Sequence, residues 1–227
     1  MADHEIFEDP EKLKRGLIKV LECVATISSA AAVVNPIFGV AGSLIRVVLH
    51  HVDDEDLQKL KREFGSVNRA LDDISKKNHH ALLQIRKETV DKQYHEVEEN
   101  IKNQFRKFME IVEANPDALQ RKKDDFVESF MNDKDDQNMY TLYEGVIGKR
   151  KLFSQPILDV YWKHSHGDRY VMENLCTRLA YLFCIGFIAL MGYYGIIGDD
   201  LESRNEEWEE NMKNVQEKMQ EMLMRCK

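Results

Sequence analysis

Uncharged, apolar-rich residues gather in two stretches of an otherwise charged chain, Cys23 to Ile45 and Leu179 to Gly198. Elsewhere apolar positions recur at helical spacing. Leu57, Leu60, Phe64, Val67, Leu71 and Ile74 step by three or four residues, and Tyr94, Val97, Ile101, Gln104, Phe108 and Ile111 do the same. Such spacing places one apolar stripe along a helix. No proline falls between Ala41 and Asn115, so the pattern predicts one very long helix over 54–113, or two with a soft joint near Asn78. Straight, it would extend roughly 90 Å. Asp53–Asp56 supply carboxylates where a helix start favours negative charge.

The remaining elements follow from breakers. Pro10 precedes a helix that runs towards Ile27. Asn35-Pro36 interrupts 23–45, because proline lacks an amide donor and crowds the preceding turn. Neither half reaches the ~20 residues of a transmembrane helix, so a kinked helix or apolar hairpin is expected. Ala31, Asn35, Gly39 and Ser43 give it one small-residue face. Asn115-Pro116 ends the long arm, and a shorter helix carries Leu119, Phe126, Val127 and Phe130. Asp133–Gln137 reads as a loop, and Met139 to Ile147 as a helix stopped by Gly148. A basic linker leads to a helix from Ile157, and His164–Asp168 reads as a turn. The last stretch, 201–227, places Trp208, Met212, Val215 and Met219 on one face, an amphipathic closing helix. The expected fold is all-α: a single domain over 1–227, an elongated antiparallel helical bundle with two apolar segments.

Segment 179–198 is 20 residues without a charge, bounded by Arg178 and Asp199-Asp200. As a helix it measures ~30 Å, the depth of a bilayer core. Its nine Leu, Ile and Phe residues contribute roughly −3 to −5 kcal/mol to insertion. Its glycines and tyrosines take back part of this, so spanning is feasible. The expected lipid contacts are Phe183, Phe187, Ile188 and Tyr193, with Ile37 and Phe38 in the more polar, broken 23–45. The alternative is a bundle in which both segments are core, since a buried helix is also apolar all round. Flanking charges are balanced (Arg169 and Arg178 before, Arg204 and Lys213 after), so orientation is not specified.

Composition narrows the function. Formal charge is −8 and the basic runs are short, which argues against nucleic acid. The acidic N-terminus lacks the form of a cleavable signal peptide. Cys23, Cys176, Cys184 and Cys226 lie far apart or in apolar surroundings, and read as reduced thiols. No phosphate loop or nucleophile elbow occurs, and adjacent histidines such as His79-His80 point apart on a helix. The chain is therefore expected to be non-enzymatic, without metal, cofactor or small-molecule substrate. Its expected partners are membrane lipid, or a second copy or other helical protein on the heptad stripes. It is placed at a membrane, as a single-pass segment or peripherally, and otherwise in the cytoplasm.

The run IKVLECVATISSAAAVVNPIFGVAGSLIRVVL, the following HHVDDEDLQKLKREF and the later LAYLFCIGFIALMGYYGIIG together resemble the rapunzel family of small fish proteins. The likeness extends over nearly the whole chain and is most distinctive at 17–64. Such sequences look related to cephalotoxin-type proteins and are similar in organisation to α-helical pore-forming toxins. The resemblance implies a non-enzymatic protein with a role in fin and skeletal development. It assigns no catalytic residue.

Overall fold

The computed structural model describes residues 54–87, 91–149 and 155–227. Within them the chain is all-α: α1 (Asp54–Lys77), α2 (His79–Lys87), α3 (Asp91–Val112), α4 (Leu119–Asn132), α5 (Gln137–Ile147), α6 (Ile157–His164), α7 (Arg169–Ile197) and α8 (Leu201–Met224). A single 3-10 turn, Pro116–Ala118, joins α3 to α4. The apolar segment 23–45, with Ile37 and Phe38, lies outside the described residues.

The stretch expected as one arm over 54–113 is divided. Near Asn78 the axis continues, because Asn78 N–H donates to Ile74 O and Leu82 N–H to Asn78 O. The larger change lies between α2 and α3. Arg178 reaches both Ser75 and Glu98, which a straight helix would hold ~34 Å apart. The chain therefore doubles back, and α3 packs beside α1. The physical reason is the stripe itself: folding α1 and α3 onto one neighbour buries Leu71 of α1 with Ile101, Phe108 and Ile111 of α3, where a rod would leave them wet.

That neighbour is α7, on which α1, α3, α4, α5, α6 and α8 all pack. Asp168 caps its start, accepting from Val171 N–H at 3.0 Å, and Gly198 ends it in a left-handed conformation. From Leu175 to Gly195 every residue is buried. Its surface carries glycine where partners press closest. A Cβ on Gly192 would stand 2.4 Å from the Phe108 ring of α3, and one on Gly186 would stand 2.3 Å from Met139 Sδ of α5. Aromatic rings fill the other contacts. Phe130 stacks on Tyr193 at 4.2 Å, while Trp208 of α8 lies among Tyr140, Tyr143 and Phe187.

The stripe residues Leu71, Trp208, Met212, Val215 and Met219 are buried in this core, and Ile74 packs against it. Leu57, Leu60, Phe64 and Val67 lie along α1, with side chains outside the described set.

Candidate functional site

Helix α7 carries one charge into the interior. Arg178 sits three residues after Leu175 and four before Leu182, so the helical repeat puts it on an apolar face. It is 1 % exposed. Glu98 of α3 is placed the same way, between Tyr94 and Ile101, and is 2 % exposed. The two meet in a charge-assisted hydrogen bond from Arg178 Nη2 to Glu98 Oε1. Arg178 Nε donates to Ser75 Oγ of α1 at 2.9 Å, and Ser75 in turn donates to Leu71 O. Nη1 is buried and has no hydrogen-bond partner among the described residues.

Around this pair the groups are ordered by charge. Lys102, one turn along α3, approaches Glu98 Oε1 at 2.8 Å from a half-wet position. Tyr94 of α3 and Tyr161 of α6 share a hydrogen bond at 2.9 Å. Burial alone would raise the Glu98 carboxyl. The Arg178 guanidinium and the Lys102 ammonium outweigh it and hold Glu98 below its usual range. Burial pushes both tyrosines up, with the Glu98 charge adding to it and Arg178 opposing. One guanidinium thus ties α1, α3 and α7 together, and its field reaches the tyrosine pair that joins α3 to α6.

The opposite end of α7 is held by the buried Tyr194 and by half-exposed charged groups. Tyr194 donates to Asp136 Oδ2 at 2.9 Å, and the Arg204 guanidinium lies over the Tyr194 ring at 4.7 Å while pairing with Asp199. Among the described residues no group of three or more His, Cys, Asp or Glu is placed to hold a metal ion. Cys176 and Cys184 are buried free thiols, and Cys226 is half-buried.

Of the residues expected to meet lipid, the four on α7 are inside. Phe183, Phe187, Ile188 and Tyr193 are all buried against the chain's own helices. In this form none reaches the surface, and lipid contact through them requires the jacket of helices to open. The stripes traced in the sequence included neither Arg178 nor Glu98, and Arg178 was read as the boundary of the uncharged run. The signal was present: opposite charges each sit at the spacing of their helix's apolar stripe.

Across all 227 residues, covering both chains fully, this sequence is 87% identical to Protein rapunzel of Danio rerio. The chain belongs to the rapunzel family. Residues 51–227 also match the family model of the cephalotoxin-like middle helical domain, so the helices described above make up that unit. No solved structure matches the chain. The rapunzel-family match covers the apolar N-terminal segment as well, whereas the helical-domain match begins just ahead of α1.

Proposed function

We propose that this rapunzel-family protein is a non-enzymatic helical protein that keeps a bilayer-length apolar helix inside its own bundle and contacts membranes by exposing it. The observation that carries this reading is α7. It is the one helix among the described residues long and apolar enough to cross a membrane, and it is jacketed by amphipathic helices. Core helices of soluble proteins are as long and as apolar, and what favours the membrane reading is the energetics of exchange. Side chains such as Phe183, Phe187 and Ile188 find hydrocarbon about as favourable as a protein interior. The jacket helices α1, α3 and α4 each have one apolar stripe and can lie in an interface. The developmental role in fin and skeleton that the family resemblance implies belongs to this proposal, as does a membrane-associated location.

Photolabelling with an apolar carbene or nitrene reagent dissolved in phospholipid vesicles tests it. Label on peptides within 179–198 supports the reading; vesicles that bind the protein without labelling those peptides contradict it. A second reading, a cytoplasmic helical interaction module with α7 as permanent core, is favoured by the glycines at 186 and 192 shaped to α5 and α3. It expects no labelling of α7, and light scattering then reports whether a second copy binds. Release of a vesicle-trapped dye separates insertion with pore formation, the toxin-like form of the proposal, from surface contact.

A further inference from the structure

We propose that Arg178 and Glu98 form the latch that governs release of α7, a regulatory step that rests on the membrane reading above. Most of the α7 surface is apolar, and an apolar side chain loses little when protein neighbours are replaced by lipid tails. Such contacts hold the helix without opposing its exchange into hydrocarbon. The Arg178 node differs. It is 1 % exposed, it is bonded to Ser75 of α1 and Glu98 of α3, and it lies one residue before the uncharged run begins. Withdrawing α7 separates opposite charges that were buried together, and lipid tails offer no substitute for either partner.

The two partners are not equivalent. With 179–198 across a bilayer, Arg178 falls at one interface and Asp199-Asp200 at the other, because 20 helical residues measure ~30 Å. There the guanidinium meets phosphate oxygens of the headgroups in the paired geometry it prefers. Arg178 therefore has an anionic partner in both states. Glu98 has Arg178 only in the closed bundle. Loss of the carboxylate weakens the closed state alone, whereas loss of the guanidinium weakens both.

Four purified variants are compared with the wild type by flotation with vesicles of phosphatidylcholine mixed with phosphatidylserine, alongside their thermal midpoints. Glu98→Gln is expected to raise the vesicle-bound to free ratio about tenfold or more. Arg178→Met raises it less for the same loss of thermal stability, since the open state loses its headgroup contact. The double variant Glu98→Met with Arg178→Met returns to the wild-type ratio or below. Phe126→Leu, a core change on α4 away from the node, controls for simple destabilisation. Ratios that track thermal midpoint along one line for all variants would overturn the latch and leave the membrane reading standing. Absence of vesicle binding by every variant overturns both. If Glu98→Gln does not fold, Ser75→Ala removes only the acceptor for Nε. It is expected to raise the ratio above that of a core variant matched in thermal midpoint, and a ratio equal to that variant's counts against the latch.

Discussion

At the scale of single residues the balance turns on Arg178 and Glu98. Taking two charges out of water is expensive, and their attraction returns that cost only with good geometry and further hydrogen bonds. Here Ser75 and Lys102 supply part of the remainder, and Nη1 goes without a partner among the described residues. The pair is therefore weak as a source of net stability and strong as a condition on the fold. Glu98→Gln should lower unfolding free energy by about 3–5 kcal/mol, because it strands a buried guanidinium. Replacing both partners by methionine should leave stability within about 1 kcal/mol of wild type, or raise it. Urea denaturation followed by circular dichroism measures both. The sign with pH follows from the depressed Glu98 carboxyl. Its contribution is present above the ordinary carboxylate range and is lost as pH falls through the lower, folded value. Wild-type stability should thus decline as pH falls below the ordinary carboxylate range, and Glu98→Gln should flatten that decline. An unchanged slope in the variant would assign the acid limb to other carboxylates.

At the scale of elements, the contact of α7 with its neighbours can be tested at one glycine. A methyl group on Gly192 would press on the Phe108 ring, which is fully buried and would have to shift within the core. Gly192→Ala should destabilise the bundle by about 1–3 kcal/mol through overpacking, reduced by the ~1 kcal/mol that alanine gains over glycine in a helix. For a helix surrounded by lipid the same change would be neutral or favourable, so the sign of the measured difference is decisive. Most elements were legible in the sequence. Asn115-Pro116 ends α3, Gly148 stops α5, and Trp208, Met212, Val215 and Met219, spaced along one face of α8, are buried. Breakers and period-3.6 stripes are local signals, and these boundaries obey them. Two things were not local. The reversal between α2 and α3 carries no proline or glycine, and follows from which faces must be buried together. The surroundings of α7 were also hidden, because lipid and a protein core select the same side chains. The glycines of α7 could be read equally as flexible spacing in a membrane span, until Phe108 and Met139 were found against them.

At the scale of the whole molecule, six of the described helices pack on a seventh whose stretch from Leu179 on carries no charge. This arrangement hides from water a segment that would otherwise aggregate or insert. Under the membrane reading proposed above, the chain has two low-energy surroundings for one helix. Which one is occupied depends, on that reading, on the jacket, and the buried Arg178–Glu98 ion pair lies where the jacket meets the start of the apolar run. Cys184 sits within that run, 1 % exposed and free, and reports directly on the central claim. A variant keeping it as the sole thiol, with Cys23, Cys176 and Cys226 each changed to serine, is purified without detergent or lipid and treated with a small polar disulfide reagent. The enclosed bundle predicts a monodisperse protein whose thiol reacts roughly a thousandfold more slowly than after denaturation, at the rate of local opening. A protein that dissolves only in detergent, or a Cys184 that reacts as fast folded as unfolded, would contradict the enclosure of α7.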